Sequence, residues 1–235
     1  MGNGGPRRVP GRAALGALAD ILLLALVAPR CCGCEQPLSR PSLGPVCARC
    51  WESVRLIQTP LPLPASSLLD AAWAAAEFEG PFRHILHAFK YQGRRSLARP
   101  IGALMRGAAK PASNGASIAV PVPLHPWRRL SRGFNQAHDL ARELGLPVVR
   151  ALTRTRATRP QEHLTAGARW QNVKGAFALA SPASAASLRG AIVVLVDDVH
   201  TTGATLQGCA RVLKAAGARE VRAVTAAVAR PHAEN

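Results

Sequence analysis

The chain has 235 residues, 48% apolar and 18% charged, enough core for one ordinary domain plus a small appendage, or for one large domain, which excludes a wholly disordered chain. Its 30 Lys and Arg against 13 Asp and Glu leave a net charge of +17, favouring an anionic partner such as phosphates, nucleic acid or a membrane surface. Six cysteines, five of them between Cys31 and Cys50, are too clustered for a disulfide scaffold and point to a metal in a reducing compartment.

Residues 1–12 are rich in Gly, Pro and Arg and are expected to be disordered. An apolar run follows from Ala13 to Ala28, broken by Asp20 and preceded by Arg7, Arg8 and Arg12. It is too short to span a bilayer comfortably. Asp20 in its middle and the cysteines behind it favour a docked helix over the alternative, a targeting segment. The expectation is a cytoplasmic chain with no membrane span, its residues 13–58 forming a helix and a Cys-rich lobe.

Cys31-Cys32-Gly33-Cys34 and Cys47-Ala48-Arg49-Cys50 are two C-x-x-C knuckles separated by twelve residues. Each knuckle sets two thiolates on a tight turn, and two together make a four-sulfur site for structural zinc. A redox motif needs only one pair, whereas this chain has two. Cys31, Cys34, Cys47 and Cys50 are the expected ligands, with Cys32 an alternative to Cys31. Four thiolates leave zinc no open position, so the metal would hold the lobe and not catalyse.

Thr59-Pro-Leu-Pro-Leu-Pro64 suits neither helix nor central strand and reads as an extended linker over residues 59–66. Residues 67–235 then form the main domain. Leu68–Ala76 and Phe82–Phe89 show helical spacing, and a further helix is expected from Leu97 to Arg106, followed by a loop from Pro111 to Gly115. Beyond it strands (117–122, 147–152, 192–196, 221–228) alternate with helices (135–144, 205–216), which predicts an α/β fold with a parallel sheet. The polar stretch Arg154–Asn172 lacks such periodicity and is too long for a passive connection, so a mobile functional loop is expected there.

In Ile192-Val-Val-Leu-Val-Asp-Asp-Val-His-Thr-Thr-Gly-Ala-Thr-Leu206, five apolar residues lead to Asp197 and Asp198. Thr201, Thr202, Gly203, Ala204 and Thr205 follow, opening a helix. Such a turn suits a phosphate monoester, because backbone N–H groups face the oxygens, Gly203 permits close approach and the hydroxyls add donors. Two carboxylates beside a phosphate imply a ligand that also carries hydroxyls or a cation, as a sugar phosphate does.

This segment resembles the phosphoribosyl-pyrophosphate (PRPP) motif of type I phosphoribosyltransferases. The resemblance implies that Asp197 and Asp198 hold the ribose hydroxyls, with a part in catalysis, while residues 201–205 hold the 5′-phosphate. Val120-Pro-Val-Pro-Leu-His125, Arg132-Gly-Phe-Asn-Gln-Ala137 and Phe89-Lys-Tyr-Gln-Gly93 resemble the ComF-type (GntX-like) branch, as does the paired C-x-x-C unit. Arg154, Arg156, Gln161, Leu164, Arg169, Asn172 and Phe177 resemble that branch's flexible-loop region. Phe78 stands where a tyrosine is usual, and His200 occupies a variable position. A leaving pyrophosphate calls for cations, N–H donors and Mg²⁺. The loop Pro123-Leu124-His125, with Lys90, Arg132, Arg154 and Arg156, is the candidate partner set; His125 is equally readable as a turn residue.

From Pro81 to Lys110 seven basic residues face no acid, a block that suits either nucleic-acid phosphates or water. Two functions follow. One is a Mg²⁺-dependent phosphoribosyltransferase acting on PRPP or a nucleotide monophosphate. The other, implied by the ComF resemblance, is a non-catalytic or PRPP-sensing module for DNA uptake in competence, with single-stranded DNA and a helicase-like protein as partners. Acceptor base and oligomeric state leave no readable trace in the sequence.

Overall fold

The computed structural model describes residues 20, 21, 23, 26, 28–125, 127, 130, 132–156 and 175–230. The segment 1–12, most of the apolar run before the cysteines and most of the stretch Arg154–Asn172, expected as a mobile loop, lie outside the described residues. Asp20, Ile21, Leu23 and Leu26 are helical, and Asp20 accepts a hydrogen bond from the Ser42 amide at 2.7 Å. Among the described residues, no helix is long and apolar enough to cross a membrane.

Four strands build the central sheet: β1 (Ala71–Glu77), β2 (Ile118–Pro121), β5 (Ile192–His200) and β6 (Glu220–Val228). Their spatial order is β1-β6-β5-β2 and every pairing is parallel. Alternate residues of each strand enter opposite layers, as the pleat requires. Val194, Val196, Val224 and Ala226 meet helices α2 (Gly80–Tyr91), α3 (Ala98–Ser113) and α4 (Gln136–Arg142) on one face. Val193, Leu195, Val221 and Ala223 meet α6 (Ala204–Ala215) and Leu188 of α5 (Pro182–Leu188) on the other. Burial on both faces explains the unbroken apolar run of β5. The remaining strands, β3 (Leu152–Arg154) and β4 (Phe177–Leu179), form a separate antiparallel ribbon.

Four local expectations are corrected. Leu68–Ala76 is not a helix, because most of it enters β1. Alanine favours helix intrinsically, yet tertiary context overrides the preference. Ala72 and Ala74 are buried in one layer of the core and Ala75 and Ala76 in the other, while their backbone pairs with β6. The expected loop at Pro111 is the last turn of α3, since burial of Ala109 and Ala112 keeps the helix going to Ser113. In place of a strand over 147–152, Val148 makes a single parallel bridge to Ala119 and the chain extends only from Leu152. Finally, β5 does not stop at Val196 but carries both acids and ends at His200.

Residues 55–61 run along the free edge of β1. Ile57 donates to Ala75 at 3.0 Å, Leu61 donates to Ala72 at 2.7 Å, and Leu61 is buried. This backbone covers the sheet edge. The short helix α1 (Ala48–Glu52) and the cysteine knuckles pack on α2, sharing a core with Phe82, Ile85, Leu86 and Phe89. The His84 ring Nδ1 stands 3.0 Å from the Gly33 carbonyl oxygen.

Candidate functional site

The last residues of β5 set the site. Asp197 and Asp198 lie in the parallel ladder, Asp197 opposite Thr225, so their positions are fixed by the sheet and not by a loop. Asp197 Oδ1 accepts a hydrogen bond from the Asp198 amide at 2.9 Å. Burial and then the neighbouring Asp198 charge push the Asp197 pKa up to about 7, while the Asp198 amide, Lys90 and Arg154 act the other way. Residues 201–203 make the turn, with Gly203 left-handed at φ +73° as the N-cap of α6. Ala204 is buried, so only its backbone amide can serve a ligand. The Thr202 hydroxyl and His200 Nδ1 are buried without a hydrogen-bond partner, whereas Thr201 is exposed. A twelve-residue helix opening here turns its first free N–H groups toward the turn.

Cations converge on the acids from two sides. Lys90, in the last turn of α2, places Nζ 3.1 Å from Asp198 Oδ1. Burial disfavours its charge, but Asp198 and Asp197 outweigh burial and hold its pKa above the usual lysine range. Arg154, on β3, is buried with its guanidinium 5.3 Å from the Phe177 ring centre. Arg132 is half-buried and stacks on Tyr91, the residue after Lys90, at 4.5 Å. Arg156 is exposed.

The loop Pro123-Leu124-His125 leaves β2 next to the acids, because Val122 donates to Val196 at 2.9 Å. Asn135 ties it down: its side-chain amide donates to the Val122 carbonyl at 3.1 Å while its Oδ1 caps α4 through Ala137 N–H. All three loop residues are half-buried, and His125 Nδ1 lies 3.4 Å from the Trp127 amide. Ligands of open α/β sheets bind at such carboxyl ends of strands. Phe134 is buried against Phe89 and belongs to the core.

The four knuckle thiols form a second centre. The Sγ atoms of Cys31, Cys34, Cys47 and Cys50 all lie within 4.8 Å of one another, with Cys31–Cys50 at 3.7 Å and Cys34–Cys47 at 3.9 Å. All are free thiols. Four sulfurs around tetrahedral zinc stand about 3.8 Å apart at a Zn–S length of about 2.3 Å, so the donor set fits such a metal. Burial raises the Cys31 pKa, but N–H donors from Cys47, Cys34 and Gly33 prevail and bring it down to about 6. Burial and the adjacent thiols push Cys50 up. Cys32 stands outside the cluster, which places Cys31 in it.

Lys90 and Arg154, both expected at the pyrophosphate, stand within electrostatic reach of the acid pair. Sequence reasoning missed Gln207, whose side chain accepts from Leu68 N–H at 2.8 Å and donates to Ser67 at 2.6 Å, anchoring the helix that opens at the turn. The only sequence signal for it is a polar residue four positions past the N-cap glycine, among apolar neighbours.

Comparison with known proteins agrees with this geometry. A family model described as the phosphoribosyl transferase domain matches residues 130–235, which include the acids and the turn. The chain is 32% identical over 202 residues to the DNA utilization protein YhgH of Salmonella typhimurium, covering 82% of this chain and 81% of the relative. It is 30% identical to the Escherichia coli protein of that name, covering 82% and 93%. Competence protein F of Haemophilus influenzae is 33% identical over 152 residues, covering 60% and 66%. With the parallel sheet, the acidic strand end and the cysteine cluster all in place, the chain belongs to the ComF-type branch of the phosphoribosyltransferase family.

Proposed function

We propose that the end of β5 and the turn after it bind a 5-phosphorylated ribose, as PRPP or a nucleotide monophosphate. The supporting observation is the sequence of groups in space: a carboxylate pair fixed in a ladder, then a left-handed glycine opening α6, with a buried hydroxyl at Thr202 lacking any partner. The phosphate takes the N–H groups of 201–205, and Asp197 and Asp198 take the ring hydroxyls.

In this reading the chain works in the cytoplasm on single-stranded DNA, beside a helicase-like partner, as part of DNA uptake. Support comes from the names of its relatives and from the +17 charge. Zinc in the four-cysteine cluster holds the N-terminal lobe; 1–12, 13–58, 59–66 and 67–235 are the proposed units. Magnesium would arrive with PRPP, since Asp198 is already paired with Lys90 and no cage of free carboxylates stands there among the described residues. When bound it would balance charge on the pyrophosphate.

A second reading, ribosyl transfer, is favoured by the cations around the acid pair. The bond from ribose C1 to pyrophosphate would break, pyrophosphate leaving with the electron pair, and C1 would bond to a nitrogen acceptor whose proton passes to solvent, with Arg154 facing the departing charge. The two readings share the binding step. Equilibrium dialysis with labelled PRPP and magnesium tests it: the protein retains the label, and excess ribose 5-phosphate displaces it. Retention no greater than that of an unrelated basic protein would overturn the proposal.

A further inference from the structure

We infer that Lys90 is a specificity-determining residue, an internal cation that makes the Asp197–Asp198 pair a receptor for a neutral diol and denies it to a free divalent metal. The inference rests on the ribose reading of that pair. Two adjacent carboxylates in a buried strand end would ordinarily gather a hard cation from solution. Here the place is taken: Lys90 Nζ stands 3.1 Å from Asp198 Oδ1, with the lysine side chain 21% and the aspartate 12% exposed. Asp197 adds to the hold on Lys90 by its charge.

The ammonium is not a loose surface group. Lys90 sits at the end of an amphipathic helix whose Phe82, Ile85, Leu86 and Phe89 are buried, and the Lys90 carbonyl accepts a hydrogen bond from Gln136 at 3.2 Å. In its N-terminal half that helix is held by the His84 ring, whose Nδ1 stands 3.0 Å from the Gly33 carbonyl oxygen. The helix is thus held in its first half and at its C-terminal end, and the ammonium reaches Asp198 from a fixed origin. A single charge at this range in a desolvated pocket is strong enough to decide cation binding. With the charge satisfied, the remaining carboxylate oxygens are acceptors for hydroxyl groups.

The test uses the zinc-loaded full chain and Mn²⁺ alone, with free Mn²⁺ counted by electron paramagnetic resonance. The wild type and Lys90→Arg show no Mn²⁺ site that Asp197→Asn removes. Lys90→Met gains such a site, with Mn²⁺ affinity at least about tenfold above the wild type's background binding, and Asp197→Asn in that variant abolishes it. Equal Mn²⁺ binding by wild type and Lys90→Met, or a wild-type site that Asp197→Asn removes, would overturn the inference. The wild-type arm decides even if the methionine variant fails to fold. No sugar phosphate enters the titration, so its failure is distinguishable from failure of the ribose reading.

Discussion

A methyl group placed on Gly203 would stand 2.9 Å from Nε2 of His200, the residue that ends β5. The strand end and the helix N-terminus are therefore packed against each other through an imidazole and a bare Cα. Gly203 also holds φ at +73°, a region that costs other residues about 1 kcal/mol.

Gly203→Ala is expected to lower Tm by roughly 2–6 °C and to weaken ribose 5-phosphate binding by about tenfold. Differential scanning calorimetry and a binding titration check both. Unchanged affinity at reduced Tm would show that the turn's shape does not matter to the ligand.

The raised pKa of Asp197 makes stability depend on pH in a definite direction. Its folded value is about 7 against 3.8 for the free group, so the unfolded chain gives up this proton first. Below about pH 4 the group adds no penalty; the penalty grows as pH rises to about 7 and is constant above. Asp197→Asn should therefore gain stability relative to wild type between pH 4.5 and pH 8, by roughly 1–3 kcal/mol in urea unfolding. A pH-independent difference would contradict this assignment.

Arg222 caps the C-terminal end of α3. Its Nη1 reaches the carbonyls of Ala112 at 3.2 Å and Asn114 at 2.7 Å, while Nη2 pairs with Glu220 at 2.6 Å. These are the open acceptors of a helix end. Arg222→Met should cost about 1–3 kcal/mol by chemical denaturation, with ligand binding retained. A neutral result would mean that water serves those carbonyls equally well.

About one zinc per chain is expected by elemental analysis, lost in Cys47→Ser together with several degrees of Tm. The same loss is expected on adding a strong chelator. Protein purified without chelator and found free of metal would leave the cysteine cluster without its proposed role.

The fold was readable because its strongest signals are local. The run Ile192–Val196 is buried on both faces, and two cysteine pairs at knuckle spacing have few other uses. Ala71–Glu77 misled because alanine carries helix propensity, while its place at the sheet edge depends on β6, about 150 residues away in the chain. The acid pair and the threonine turn were legible as a motif. Their electrostatic partners were not: Lys90 and Arg154 come from α2 and β3, and no spacing rule shows which of 30 basic side chains will meet an acid in space. The tie from Gln207 to Ser67 spans 140 positions and escapes any window for the same reason.

Titration calorimetry of ribose 5-phosphate into wild type and into Asp197→Asn/Asp198→Asn goes most directly to the binding of a phosphorylated pentose at this strand end. The wild type should give a saturable one-site isotherm and the double variant, with a circular dichroism spectrum unchanged, should give none. Absence of heat in the wild type with ribose 5-phosphate and with PRPP, or equal affinity in the double variant, would contradict the account.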